Sequence, residues 1–396
     1  MSLLDITLCT IIVLIGINLG KLYGGFSPKE RKWLLLLFLF HLCITLVFNF
    51  YVSANGGDAV KYWNLPKAHS FQEIWGLVVN RRASSFIYFM NYVPSHTLDL
   101  SFFTGNLLYS TFGFLGFVYL FKMCKELFPN TEKLYGLRFF GIPLFPWIFF
   151  LPNLHFWSSG IGKDAILFFC CITFFYAFLK LRKRYGLLLF GILLSVLIRP
   201  HITVFLLSAL TLAYVFDGRL KNYQKLIFIS AFIAALAFMS EYLLTFIQIE
   251  NFKISTIENF ANNRASSLSA SRTESNIDVS SYPYALKVFT FLYRPLFFDI
   301  VGILAVLASF ENLILILFTF LILRNKPLAS FRKSHFSIKA MPLFFLLGTL
   351  AFSLILGNLG IMLRQKNMFF PLFLLFGLYV LYQNKTLLKG ESINPK

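Results

Sequence analysis

The sequence predicts an all-α polytopic membrane protein, a transmembrane helix bundle of about eleven spans. Three observations predict it. Of 396 residues, 58% are hydrophobic and 13% are charged, where a soluble domain is about one quarter charged. Mean hydropathy is +0.71, and the shortage of charge runs along the whole chain. Apolar stretches of about 17–25 residues recur between short polar gaps, and that length crosses roughly 30 Å of hydrocarbon. Lipid makes each crossing segment satisfy its own backbone hydrogen bonds, so unbroken apolar runs read as helices, not as the alternating strands of a barrel.

The spans fall at approximately 3–22, 33–53, 98–121, 137–156, 163–180, 186–198, 201–216, 223–246, 300–323, 341–357 and 368–383. The first carries Asp5 in place of a basic leader and no small-x-small cleavage pattern, so it reads as a retained helix. Residues 286–299 are apolar but broken by Arg294-Pro295, as a re-entrant or interfacial piece would be. The whole chain, 1–396, reads as a single integral membrane domain.

Orientation follows from the basic loops. Lys21, Lys29, Arg31 and Lys32 lie between the first two spans. Lys122, Lys125, Lys133 and Arg138 lie between the third and fourth. Lys180, Arg182, Lys183 and Arg184 come after the fifth, and Arg219, Lys221 and Lys225 after the seventh. Arg324, Lys326, Arg332, Lys333 and Lys339 follow the ninth, and Lys385 and Lys389 the last. Every second loop is basic, which sets the N-terminus outside and the C-terminus in the cytoplasm. Two long outer segments result, 54–97 and 247–285. The stretch from Asn262 to Ser281, rich in Ser, Asn, Arg and Thr, has the composition of a mobile lid.

The net charge of +19 is this loop bias together with attraction to anionic lipid, and does not point to nucleic acid. Of the five cysteines, Cys9, Cys43, Cys124, Cys170 and Cys171, most sit in apolar segments, which argues against a disulfide framework. Adjacent Cys170 and Cys171 point to different helix faces and make a poor metal or redox pair. The chain contains no HExxH or CxxC and no GxSxG element. Ser158-Ser159-Gly160-Ile161-Gly162-Lys163 lacks the strand and spacing of a phosphate loop. No internal repeat of the inverted transporter kind is visible.

With the inner positives set aside, ionisable residues gather at outer helix ends. Asn55-Gly56-Gly57-Asp58 follows the second span, where glycines turn the chain and Asp58 can serve as a general base or bind a divalent cation. An ordinary helix N-cap is the plainer reading. Tyr62, one turn on, could stack on a sugar. Arg81 and Arg82 follow. His155-Phe156-Trp157-Ser158-Ser159-Gly160-Ile161-Gly162-Lys163-Asp164 opens a helix, where Lys163 is unfavourable for the dipole and Asp164 favourable. In Arg199-Pro200-His201, proline breaks the helix, Arg199 can hold phosphate and His201 can move a proton. A tight hairpin with a snorkelling arginine is the alternative. Tyr293-Arg294-Pro295 is followed by Glu311 and Asn312, and Glu311 needs a cationic partner, expected among these arginines. Arg364 and Lys366 precede the last span, as phosphate ligands or as headgroup anchors. Outer basic residues run against the lysine and arginine bias, and suit an anionic substrate such as a pyrophosphate-linked lipid.

The order of these elements resembles bacterial O-antigen or capsular polysaccharide polymerases, and more broadly the C-type-fold membrane glycosyltransferases, over about residues 50–375. They are Gly-Asp-x-x-x-Tyr, Phe-Trp-Ser-x-Gly-x-x-Lys-Asp, Arg-Pro, Tyr-Arg-Pro with a downstream Glu-Asn, and Arg-x-Lys. The resemblance implies a multi-pass enzyme of the bacterial cytoplasmic membrane. It would act at the outer face on polyprenyl-phosphate or pyrophosphate sugars, among membrane lipids and polysaccharide assembly partners. In the polymerase branch, arginines hold the pyrophosphate without metal. In the other branch an acidic residue of the first outer loop is central, where Asp58 matches, but the Asp-Glu pair common there is missing. By this resemblance Asp58, His201 and Glu311 are the catalytic set. Tyr62, Arg81, Arg82, Trp157, Lys163, Asp164, Arg199, Arg294, Arg364 and Lys366 contact substrate. A flippase or transporter of lipid-linked oligosaccharide or another anion, and a non-catalytic scaffold, are the competing classes.

Overall fold

The computed structural model describes residues 1–82, 84–218, 221–247, 277, 279, 282–300 and 302–387. It is almost wholly helical. Among the described residues, five helices are long and apolar enough to cross a membrane: Leu3–Leu22, Pro28–Asn55, Phe102–Leu127, Ile303–Arg324 and Phe336–Ile355. The stretch from Asn262 to Ser281 lies outside the described residues except for Ile277 and Val279.

The described chain divides into two compact units. The first comprises Met1–Phe121, Phe149–Ala177 and Leu181–Pro200, and the second Lys122–Ile148, Phe178–Lys180 and His201–Lys396. In the first unit, α1 (Leu3–Leu22) and α2 (Pro28–Asn55) each start at a reciprocal serine–carboxylate cap, Ser2 with Asp5 and Ser27 with Glu30. Such caps satisfy the amides that a helix start leaves open. The two helices pack closely because α1 presents glycine. A Cβ on Gly16 would come within 2.1 Å of the Phe38 ring. Small residues at helix crossings are what dispersion-driven packing in lipid requires.

The segment 54–97, expected as a loop, folds into α3 (Asp58–Asn64), α4 (Phe71–Val79) and α5 (Ser85–Asn91) with short turns between them. Next, α6 (Phe102–Leu127) runs on to the short α7 (Thr131–Tyr135) in the second unit.

Residues 137–156 are not the fourth transmembrane helix that hydropathy suggests. They form a tight antiparallel pair, β1 (Arg138–Phe139) with β2 (Ile142–Pro143), then a 3₁₀ turn at Trp147–Phe149 and the short helix α8 (Pro152–Trp157). The reason is local. Pro143, Pro146 and Pro152 remove amide donors and restrict the residues before them, and Gly141 takes φ +78°. Hydropathy counts side chains and is blind to these breaks.

Residues 149–162 nonetheless run antiparallel to α6. His155 stacks on Phe117 at 4.0 Å. Ser158 O occupies the place where Gly113 lacks a side chain, since a Cβ there would lie 1.9 Å from it. Ile161 N–H donates to Asn106 Oδ1 at 3.0 Å. Irregular backbone at membrane depth is tolerated where it is buried in protein, and Ser158, Ser159, Gly160 and Ile161 are all buried. The chain continues into α9 (Lys163–Leu179), buried on all sides from Lys163 to Ala177. That burial explains why α9 is apolar all round. α10 (Leu181–Ile198) begins earlier than hydropathy suggests and bends at Arg184, whose guanidinium stacks 3.7 Å over Tyr176.

The second unit contains α11 (Pro200–Val215), α12 (Asn222–Ile247), α13 (Tyr284–Tyr293), α14 (Ile303–Arg324), α15 (Pro327–Lys333), α16 (Phe336–Ile355), α17 (Leu359–Lys366) and α18 (Phe370–Leu387). The apolar piece at 286–299, expected as re-entrant or interfacial, resolves into α13 and a 3₁₀ turn at Phe297–Asp299. Here α18 is the central element: from Phe370 to Tyr382 every residue is buried. Phe291, Phe352, Phe344 and Phe369 interlock beneath α13, α16 and α17. Lys339 of α16 and Asp217, both fully buried, pair at 3.9 Å.

Candidate functional site

The acidic element is built by two glycines. Gly56 ends α2 at φ +73° and Gly57 precedes α3 at φ +127°. Both values suit a residue without Cβ, so the chain can leave one helix and start the next at once. Asp58 is the first residue of α3 and is exposed. Its position also favours the helix dipole. Tyr62, expected to offer its ring to a sugar, is instead buried. Its hydroxyl lies 3.4 Å from Ser84 Oγ, its ring meets Tyr88 edge-on at 5.7 Å, and its carbonyl accepts from Asn91 Nδ2 at 3.1 Å. Tyr109 secures the same Asn91 through a bond to Oδ1 at 3.0 Å. Burial first, then the neighbouring Tyr62 and Asp58, pushes the Tyr88 phenol up, which puts Asp58 within electrostatic reach of that ring.

Arg81 and Arg82 are exposed on the turn after α4, and Arg82 N–H donates to Leu77 O at 3.1 Å. Arg81 and Ser84 take left-handed φ values of 53° and 72°. That turn aims Ser84 at Tyr62.

The second element is the start of α9. Lys163 and Asp164 are its first two residues and both are buried. Arg199, at the end of α10, brings Nη2 to 3.5 Å from Asp164 Oδ1, with both side chains nearly excluded from solvent. Lys163, Asp164 and Arg199 together carry one net positive charge, two cations against one carboxylate. The glycines before α9 are there for close approach. A Cβ on Gly160 would strike the Phe48 ring at 1.8 Å, and one on Gly162 would touch Tyr62 at 4.0 Å. Thus the loop into Lys163 lies against the α3 segment that carries Asp58. Trp157 is half-buried, its ring edge-on to Phe156 at 5.1 Å, and Phe156 packs on Phe48 and Tyr51.

The second unit holds its own polar cluster. Arg294 clasps Asp299, with Nε to Oδ2 at 2.9 Å and Nη2 to Oδ1, and Nη1 reaches Tyr282 Oη at 3.4 Å. That fork is bidentate, the strong form of arginine–carboxylate pairing. The hydrogen bonds of Asp299 push the guanidinium up, while burial opposes them. Arg294, expected to meet a substrate phosphate, spends its fork on a carboxylate of its own chain.

Lys366 is the last residue of α17. It is buried, and Nζ donates to Leu292 O at 3.0 Å and to Asn312 Oδ1. Asn312 in turn donates to Pro295 O at 2.7 Å. Burial pushes the ammonium down and the Glu311 carboxylate pulls it back up. Lys366 is thus a cation within electrostatic reach of Glu311. The reason is the packing of α17 between α13 and α14. Arg364 stays half-buried on α17, two residues from Lys366. His201 is the second residue of α11, edge-on to Phe352 at 6.0 Å.

Three participants escaped sequence reading. Asn106 sits within α6, takes Ile161 N–H and donates to Asn49 Oδ1 at 2.9 Å. Asn91 and Tyr109 brace Tyr62. A polar side chain inside an apolar run is the signal that marks Asn106 and Asn49; Asn91 gives none, because its segment is already polar. Comparison of the chain with protein-family models, with curated proteins and with solved structures finds no significant match.

Proposed function

We propose that the chain is a multi-pass enzyme of the bacterial cytoplasmic membrane, N-terminus outside and C-terminus inside. It transfers a glycan from a polyprenyl-(pyro)phosphate carrier at the outer face. The observation that carries this reading is the start of α9. There Lys163 and Arg199 outnumber Asp164 beside the helix that presents Asp58. A buried site with excess positive charge favours an anionic leaving group, and an exposed carboxylate nearby can take a proton.

In this reaction the acceptor hydroxyl oxygen bonds to the anomeric carbon of the donor. The bond from that carbon to the carrier phosphate breaks with its electron pair, and the carrier leaves as phosphate or pyrophosphate. Asp58 takes the hydroxyl proton. Arg199 and Lys163 neutralise the leaving group, Asp164 orients Arg199, and Arg81, Arg82 and Trp157 line the approach. Arg294, Glu311 and Lys366 serve the framework of the second unit.

The test is direct. Purified protein in lipid vesicles is given lipid-linked repeat units, and products are sized. Longer glycans support a polymerase and one added sugar a single-sugar transferase. Translocation of unchanged lipid overturns the enzyme reading in favour of a flippase. Unchanged product length and quantity in both Asp58→Asn and Arg199→Ala would sink the residue assignment.

A further inference from the structure

A histidine pair lies in the interior of the first unit, apart from these charges. His41 stands midway along α2 and His155 on α8, and neither is exposed to solvent. Their Nδ1 atoms are 2.9 Å apart. His41 Nε2 is 3.0 Å from Ser110 O, and His155 Nε2 is 2.7 Å from Phe149 O.

A carbonyl oxygen only accepts, so both Nε2 atoms must carry hydrogen. A neutral imidazole has one N–H. With both rings neutral, two bare Nδ1 lone pairs would face each other at hydrogen-bonding distance and repel. One added proton turns that repulsion into an N–H···N bond and leaves the pair with a single positive charge. The surroundings suit a cation without a counter-ion. The Phe117 face lies parallel to His155 at 4.0 Å, where its quadrupole attracts positive charge. Phe40 meets His155 edge-on, and Phe114 lies beside His41.

The groups facing the pair are neutral on every side. From α6 come Phe114, Phe117 and Ser110, whose hydroxyl bonds Thr45 of α2 at 2.8 Å. From the irregular crossing come Phe149 O and the Ser158 and Ser159 hydroxyls, which donate to His155 O. No carboxylate, lysine or arginine is among the partners of either ring in the described residues.

We infer that His41 and His155 share one proton between their Nδ1 atoms, a proton-binding site that fastens the irregular crossing 149–162 to the middle of α2. The proton matters beyond packing, because the fastened segment runs directly into Lys163 and Asp164. Its release removes the only side-chain bond between α2 and α8 described for these rings, and frees the loop at the start of α9. Below about pH 6.5 the unfolded chain protonates both imidazoles while the folded pair holds one shared proton, so the pair's contribution to stability is greatest near that pH and falls both as pH drops below it and as pH rises through release of the shared proton.

The experiment uses the full chain in lipid nanodiscs with ¹⁵N-labelled histidine. Magnetic resonance of the wild type should show one strongly downfield proton coupled to two Nδ1 nuclei, with both Nε2 atoms protonated. That signal should vanish at high pH and in His41→Asn. The melting temperature of the wild type should fall as pH is raised above about 6.5, and this fall should be absent in His155→Asn. A ring found in the opposite tautomer, with Nδ1 protonated and Nε2 bare, overturns the inference. So does a wild-type melting temperature that is flat with pH. The wild-type spectra decide the matter even where a variant does not fold.

Discussion

Arg199 Nη2 and Asp164 Oδ1 lie 3.5 Å apart, joining the end of α10 to the start of α9 in a nearly dry setting. A pair so enclosed is costly to break from one side, because the remaining charge keeps its desolvation penalty. Asp164→Ala should therefore destabilise the protein by about 3–5 kcal/mol. The double variant Asp164→Ala with Arg199→Met should recover part of that loss. Thermal melting in detergent across the four-member cycle checks it; additive losses would show that the two charges do not interact.

Lys366 makes the second such case. Lys366→Met leaves Glu311 buried beside an apolar chain and takes a donor from Leu292 O and Asn312. A loss of about 3–5 kcal/mol is expected, with partial rescue by Glu311→Gln. If Lys366 instead served substrate alone, melting would be unmoved while activity fell.

The Arg294–Asp299 fork predicts an acid limb. Burial alone would raise the Asp299 carboxyl, but bonds from Arg294 and from Leu296 N–H outweigh it and hold the group below its ordinary 3.8. A carboxyl lowered in the folded state contributes stability that is full above the unfolded value. That stability is lost as pH falls through the folded value. Melting temperature should therefore drop between about pH 5 and about pH 2, and the part due to this fork should be missing in Asp299→Asn. Equal acid limbs in both proteins would count against it.

Gly113 tests the irregular crossing. A Cβ there would meet Ser158 O at 1.9 Å, a backbone atom that can yield only by moving the segment. Gly113→Ala should cost about 1–3 kcal/mol. Gly186→Ala, with nothing within 4 Å of its Cβ, should be neutral or stabilising by up to about 1 kcal/mol. Comparable melting of both variants would show that the crossing does not press on α6.

Orientation can be read by single cysteines placed in a cysteine-free background. Positions 183 and 332 should resist a membrane-impermeant thiol reagent in whole cells, and position 81 should react. The opposite pattern would reverse the proposed topology and move Asp58 to the cytoplasm.

Much of this was legible in the residues themselves. Hydropathy and length are local sums, so the strongest apolar runs emerged as helices: Leu3–Leu22, Pro28–Asn55, Phe102–Leu127, Ile303–Arg324 and Phe336–Ile355. The glycine turn before Asp58 and the charged start of α9 were visible as short motifs, because a few adjacent residues dictate them. The irregular path of 137–156 was only partly legible. Its three prolines were in view, but the apolar side chains around them kept hydropathy high.

What the chain alone could not reveal is which charge meets which. Lys366 and Glu311 are 55 positions apart and His41 and His155 are 114 apart, distances over which sequence periodicity carries no information. Tertiary packing made Arg294 a partner of Asp299 and buried Tyr62, and it set a histidine against a histidine. The physical reason is desolvation. A helix becomes apolar through its own side chains, but a buried charge or imidazole is defined by the donors and acceptors that folding brings to it. Composition alone determined that this chain belongs in a membrane; the paired and unpaired character of its few polar groups was decided by the packing of one helix on another.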